Sequence, residues 1–250
     1  CPGGKVGAYL IPGSVASIAS YAFYGCGGLT SVAIPGSVTS IGSIGFQYCS
    51  GLTSIEVDES NASYSSLDGV LFSKTRFALI TCPGGKTGTY DIPGGVSIIG
   101  AGSFSGCGGL TNVKIPGSVT SIGVSAFSRC EKLTSVTIPR SVTSIEESAF
   151  FGCTSMTGAY FRGNAPTMSG GVFDSASTGF TIYYFSTATG FTSPTWNGYS
   201  SQAIPPSNSI PIFRPMSSLS IQVGQTLNFT VSADDADGDS LQFSATGGVG

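Results

Sequence analysis

The chain has 250 residues, 40% of them apolar, which is enough to bury a core and excludes a disordered polypeptide. Only 9% are charged, against about 25% in ordinary soluble domains, and 37 glycines with many serines and threonines fill the gap. The net charge of −3 with ten scattered basic residues argues against nucleic-acid binding, no apolar run reaches the ~18–20 residues of a membrane span, and the lack of any histidine removes the commonest general base and metal ligand.

Residues 1–10 open in mid-pattern, and a 23-residue repeat follows. Ile11–Ala33, Ile34–Glu56, Ile92–Lys114, Ile115–Thr137 and Ile138–Tyr160 align without gaps as I-P-x-S-V-x-S-I-x-x-x-x-F-x-x-C-x-x-L-T-S-V-x. A fixed period in the twenties predicts a solenoid. Val15, Ile18, Phe23, Cys26, Leu29, Val32 and Ile34, with their equivalents, are expected to point inward and stack coil on coil. L-x-x-V-x-I reads as a strand, S-V-x-S-I as a second short extended stretch, and A-F-x-x-C as one helical or 3₁₀ turn on the convex side. The prolines fall where a strand ends.

A longer repeat is superimposed. Residues 1–49 match 82–130 at an offset of 81, with Cys1-Pro2-Gly3-Gly4-Lys5 returning as Cys82-Pro83-Gly84-Gly85-Lys86. Residue 1 therefore falls inside the larger unit, and sequence upstream is expected. Residues 57–91 interrupt the regular coils. Asp68-Gly69 before Val70-Leu71-Phe72 is a hairpin signal, so this insert reads as a variant coil with a hairpin bulging from the stack.

The pattern, clearest at Ile115–Val136, resembles the BspA-type leucine-rich repeat family. The insert from Asp68-Gly69-Val70-Leu71-Phe72 through Cys82-Pro83-Gly84-Gly85-Lys86 is similar to the variant coil interleaved in that family. The resemblance covers residues 1–160 and implies a mainly β leucine-rich-repeat solenoid, secreted or displayed on a cell surface, that adheres to protein partners.

Beyond 160 the period is lost. Residues 161–202, with Phe180, Tyr183, Tyr184, Phe185, Phe191, Trp196 and Tyr199, read as a C-terminal cap that covers the open end of the stack; an aromatic carbohydrate platform is the alternative. Residues 203–211 read as a short linker. Residues 212–250 have three strand-like runs and resemble the start of an Ig-like or cadherin-like β-sandwich, of which only about 40 residues are present where ~100 are needed.

Candidate sites follow from this frame. The last column of the repeat varies in chemistry, and Glu56, Lys114, Thr137 and Tyr160 in it are the expected ligand-binding residues on the exposed strand face. Beside it Thr30, Thr53, Thr111, Thr134 and Thr157 form a hydroxyl ladder that solvates the sheet or orders water. Asp234, Asp235, Asp237 and Asp239 supply oxygens suited to Ca²⁺, the one cofactor the sequence suggests; a solvated Asp-Gly turn is the other reading. Cys26, Cys49, Cys107, Cys130 and Cys153 share one column and are expected to be buried free thiols, because parallel side chains on stacked coils are poorly set for disulfides. Asn61-Ala62-Ser63 and Asn228-Phe229-Thr230 match the glycosylation sequon by chance. No pair of carboxylates suggests catalysis. The expected function is a non-enzymatic binding module for an extracellular protein or glycan; the alternatives are a structural stalk and an accessory module of an enzyme encoded elsewhere.

Overall fold

The structure is a computed structural model. It describes residues 4–205 and the backbone of 212–213 and 233–234. The chain divides into two compact units, one ending at Ile204 and one beginning at Pro205.

The first unit is a β-solenoid with two strand faces. One face carries β1 (Gly7–Leu10), β3 (Leu29–Ile34), β5 (Ser54–Val57), β9 (Thr87–Asp91), β11 (Gly109–Lys114), β13 (Ser135–Ile138), β15 (Gly158–Phe161), β17 (Thr181–Phe185) and β19 (Tyr199–Ile204). The other carries two-residue strands: β2 (Ser17–Ile18), β4 (Ser40–Ile41), β10 (Ile98–Ile99), β12 (Ser121–Ile122), β14 (Ser144–Ile145) and β16 (Thr167–Met168). Neighbouring strands of these two sets pair parallel, and equivalent residues lie side by side: Val32 against Ile55, Val136 against Ala159, Ile122 against Ile145. Serine fixes the corners. The hydroxyls of Ser37, Ser118 and Ser141 donate to the carbonyls of Val15, Val96 and Val119 one coil back, at 2.7, 2.7 and 2.6 Å.

The core is built from columns. Phe23 stacks on Phe46 at 4.9 Å, and Phe104, Phe127, Phe150 and Phe173 stack in succession at 4.7, 4.9 and 5.3 Å between centroids. Beside them Cys26, Cys49, Cys82, Cys107, Cys130 and Cys153 are buried free thiols. Cys130 and Cys153 donate to the carbonyls of Phe104 and Phe127, each at 3.2 Å, so the thiol column also ties coil to coil. Burial pushes the Cys49 thiol above its ordinary range, and the Cys82 thiol together with burial pushes Cys107 higher still. These groups are therefore neutral packing residues.

The convex segments are not helical, contrary to expectation. Their N–H groups alternate between two acceptors. Ala22, Tyr24 and Cys26 bond three residues back, whereas Phe23 and Gly25 bond Gly45 and Gln47 of the next coil. A helix needs every N–H for itself, so it cannot propagate here. Each segment also contains two left-handed residues four apart, such as Gly102 and Gly106 or Ser125 and Arg129. Ile44 occupies one such position with φ 66°, where a β-branched side chain is disfavoured by about 1–2 kcal/mol. Ile44→Asn is expected to raise stability by about 1 kcal/mol in urea denaturation, since Asn tolerates this conformation. A lower midpoint would mean that packing of the isoleucine outweighs its backbone strain.

The variant coil adds β6 (Tyr64–Leu67), β7 (Val70–Ser73) and β8 (Ala78–Thr81). Asp68 and Gly69, both at positive φ (51° and 74°), turn the β6–β7 hairpin, as a type I′ turn requires. The hairpin does not bulge from the stack. It is built into the second face in the order β10-β8-β7-β6, and Val70, Leu71 and Phe72 are all fully buried. Leu71 packs in a core cluster with coils that precede the insert, whereas Val70 and Phe72 pack in the cluster that follows it. Asn61 anchors the insert. It is fully buried, its Nδ2 donates to the carbonyls of Pro35 and Val38, and its Oδ1 accepts the N–H groups of Ser63 and Tyr64. Its sequon is thus a by-product of a structural residue. Asn228 lies outside the described residues.

Past residue 160 the sequence period ends but the coil path continues. Tyr160 pairs with Tyr183, and Tyr183 with Gln202; β16 pairs with β14. Backbone pairing holds these coils where side-chain identity does not. Ala203 and Ile204 belong to β19, opposite Tyr184 and Phe185, so strand replaces linker there; 206–211 lie outside the described residues. β18 (Thr195–Trp196) turns back antiparallel against β19 and covers part of its edge. Phe180, Tyr184, Phe185 and Trp196 are buried, which turns these rings into core and away from any exposed platform. Tyr199 donates to Asp174 at 2.7 Å, and burial with that contact pushes its phenol up to about 12.

In the second unit β20 (Ile212–Phe213) pairs antiparallel with β21 (Ala233–Asp234). The remainder of the expected sandwich, 214–232 and 235–250, lies outside the described residues.

Candidate functional site

Alternation along the strands of the first face sends every second side chain outward. In β13 Val136 and Ile138 are buried and Ser135 and Thr137 face out; β3 follows the same alternation. The outermost position therefore forms a row at one residue per coil, spaced about 4.8 Å. In strand order the row runs Leu10, Ala33, Glu56; then Asp91, Lys114; then Thr137, Tyr160, Tyr183, Gln202, each series joined by direct pairing.

All four residues expected from sequence lie in this row. Glu56 accepts a hydrogen bond from the hydroxyl of Ser54 on its own strand. The Lys114 ammonium meets Asp91 at 2.9 Å; both side chains are more than 60% exposed, so the pair is screened and weak, about 0–1 kcal/mol. Tyr160 stacks on Tyr183 with rings 4.9 Å apart and 12° from parallel. Thr137 is exposed between the charged and aromatic portions. Asp91, Tyr183, Leu10 and Gln202 complete the row. Leu10 and Asp91 were signalled by the isoleucine-proline pairs that follow them, Ile11-Pro12 and Ile92-Pro93.

The threonine ladder beside the row is structural as well as hydrated. The hydroxyls of Thr53 and Thr157 donate to the carbonyls of Thr30 and Thr134 at 3.1 and 3.3 Å. The second face has the same device, with Thr120, Thr143 and Thr167 each donating one coil back. Hydroxyl protons spent on coil-to-coil bonds are not available to order external water. Of the acidic cluster, Asp234 falls in β21, and Asp235, Asp237 and Asp239 lie outside the described residues. Among the described residues no three His, Cys, Asp or Glu side chains converge as a metal site, and no helix is long and apolar enough to cross a membrane.

Stacked parallel coils with an inward leucine, phenylalanine and cysteine column and an outward strand row define a leucine-rich-repeat solenoid. The profile of the BspA type leucine rich repeat region matches residues 6–90 and 84–196 in six copies, and the chain belongs to that family. No curated protein matches the sequence. Among solved structures, a leucine-rich repeat protein from Eubacterium ventriosum is 27% identical with a TM-score of 0.64, over 81% of this chain and 56% of that one. The pneumococcal vaccine antigen PcpA shares the fold at 24% identity and a TM-score of 0.55, over 69% and 55%. A leucine rich cell surface protein from Faecalibacterium prausnitzii does so at 23% and 0.52, over 78% and 63%. The chain thus spans little more than half the length of these proteins.

Proposed function

We propose that the chain is a non-enzymatic binding module of a secreted or surface-displayed protein, and that it contacts an extracellular protein or glycan through the row on the first strand face. The observation that carries this reading is a contrast between two exposed faces built on one scaffold. The equivalent row of the second face reads Ser17, Ser40, then Ala78, Ile98, Ser121, Ser144, Thr167, with no charge and no aromatic ring. The first-face row passes from acid to ion pair to hydroxyl to stacked tyrosines. Solvation alone would be met by serine and threonine in both. Surface location is supported by the description of the Faecalibacterium prausnitzii neighbour as a cell surface protein and of PcpA as a vaccine antigen.

The test is binding of the whole 250-residue chain to arrayed matrix proteins and glycans. The combined variant Glu56→Ser, Lys114→Ser, Tyr160→Ser is expected to weaken saturable binding by about tenfold or more, as loss of one aromatic anchor and two rim charges should, with an unchanged melting temperature. Absence of any binding by well-folded protein would favour a structural spacer.

A further inference from the structure

The variant coil leaves a notch on the turn side of the solenoid. Regular coils take eleven residues from the second-face strand to the first, as from Ile99 to Leu110, whereas the variant coil takes nine, from Leu79 to Gly88. Cys82-Pro83-Gly84-Gly85-Lys86 replaces the phenylalanine turn and lies closer in: a Cβ on Gly84 or Gly85 would sit 2.7 or 2.8 Å from the carbonyl oxygens of Cys49 or Leu52. The turn before the notch packs on the turn after the insert, where a Cβ on Gly102 or Gly106 would fall onto the side chain of Gln47 or Tyr48, but it loses its hydrogen-bond acceptors. In regular coils the N–H groups of the convex turn bond the next coil, as Phe104 does Ala126 and Gly106 does Ser128. Among the described residues, Ile44, Phe46 and Tyr48 have no such acceptor.

The notch forms a groove of about 440 Å³, within the ~300–1,000 Å³ common for small-ligand sites. Gly84, Gly85, Gly108 and Gly109 form its floor, and Tyr48, Arg129, Glu131 and Lys132 stand around it. Three features mark it as more than a packing defect. First, Tyr48 and Arg129 both hold φ 57°, in a column where the other coils have Gly25, Gly106, Gly152 and Ser175. Two large side chains are thus kept in a strained conformation at the groove and nowhere else in that column, a pattern that points to use. Second, the Arg129 guanidinium lies 6.0 Å over the Tyr48 ring, while Glu131 and Lys132 are exposed and form no ion pair among the described residues. In a chain with 9% charged residues, three charged side chains that form no ion pair among the described residues line this groove. Third, an exposed aromatic strip runs into it: Tyr21 (58% exposed) meets Tyr24 (44%) at 5.6 Å, and Tyr24 meets Tyr48 at 5.3 Å.

We propose that this notch is a second binding site, for a carboxylate-bearing sugar of an acidic glycan. Arg129 and Lys132 receive the carboxylate. The Tyr48 ring packs against the apolar face of the sugar, and Glu131 and Ser50 bond its hydroxyls. Tyr24 and Tyr21 extend the surface for neighbouring sugar units. None of the lining residues belongs to the strand-face row, so the two sites stand or fall separately.

Gly108 offers a clean test. A Cβ there would meet nothing nearer than the Arg129 carbonyl at 3.9 Å, its φ is not left-handed, and Glu131 holds the equivalent place one coil on. Gly108→Gln should fill the groove without disturbing the fold. Arg129→Gly should remove the charge and relieve the strain. Saturation-transfer NMR on the whole chain would use glucuronic acid and N-acetylneuraminic acid, with glucose and N-acetylglucosamine as neutral controls. The acidic sugars are expected to bind at millimolar concentration and about tenfold better than the neutral ones, as a charge-assisted contact allows. Gly108→Gln and Arg129→Gly should each abolish the signal, with melting temperature unchanged in the first and equal or higher in the second. No signal from the acidic sugars, equal signals from the neutral ones, or binding retained in folded Gly108→Gln protein would each overturn the proposal. So would loss of binding only in the strand-face triple variant.

Discussion

Replacing Asn61 with leucine is expected to destabilise the chain by about 3–5 kcal/mol, a loss reached only when a buried polar network is broken. The amide is fully buried and uses both donors and its acceptor: Pro35 and Val38 carbonyls at 2.8 and 2.9 Å, Ser63 and Tyr64 N–H groups at 2.9 and 2.8 Å. Leucine has nearly the same volume, so little of the effect would come from packing. It would come from main-chain groups left without partners in a site closed to water, each worth about 1–3 kcal/mol. The damage should centre on the junction, because Asn61 joins the corner of the second regular coil to the insert. Tyr64, positioned by the same amide, receives the Ile41 N–H at 2.8 Å and so covers the edge of β4. Ala62→Ser, one residue on and exposed, should stay within about 0.5 kcal/mol of the parent. Urea denaturation of both variants checks the pair. A leucine variant as stable as the serine one would mean that water reaches these groups.

Much of the architecture was legible because each inward position of the repeat has one chemical reason to be what it is. Phenylalanine, cysteine, leucine and valine columns stack, and residues 23 apart must match. The exposed row was legible for the complementary reason: strand alternation turns it outward, and its residues differ in charge and size from coil to coil. Three features were hidden. The insert hairpin reads as Asp68-Gly69 between extended runs, but Val70-Leu71-Phe72 without alternation does not reveal that both its faces meet core. The convex turns read as one helical or 3₁₀ turn because A-F-x-x-C is a short segment between two extended stretches. Their left-handed residues include Ile44, Ser125 and Arg129, which no local preference would place there. The coils after Tyr160 were hidden because backbone pairing carries them after the side-chain pattern has gone. Pairing of Lys114 with Asp91 escaped notice because Asp91 belongs to the variant coil, outside the aligned segments.

The same variant coil governs how stability is distributed. In a solenoid each coil contacts only its neighbours, so a defect is felt locally unless the core is continuous. Here the phenylalanine column is interrupted between Phe46 and Phe104, and the core separates into two clusters. Phe127 lies at the centre of the longer one, fully buried, with rings at 4.7 and 4.9 Å on either side. Phe127→Ala is expected to cost about 3–5 kcal/mol, from the lost apolar area, the cavity and two ring contacts. Leu71→Ala is expected to cost about 2–5 kcal/mol, but in the other cluster. Hydrogen exchange by mass spectrometry on the whole chain separates them. Phe127→Ala should lower protection across residues 87–204 and leave 7–57 less affected, whereas Leu71→Ala should do the reverse. The asymmetry follows from the alternation of β7, which sends Leu71 to one cluster and Val70 and Phe72 to the other. If both variants expose the chain equally from end to end, the three residues of β7 couple the halves into one cooperative unit, and the insert is a splice in the solenoid and not a boundary.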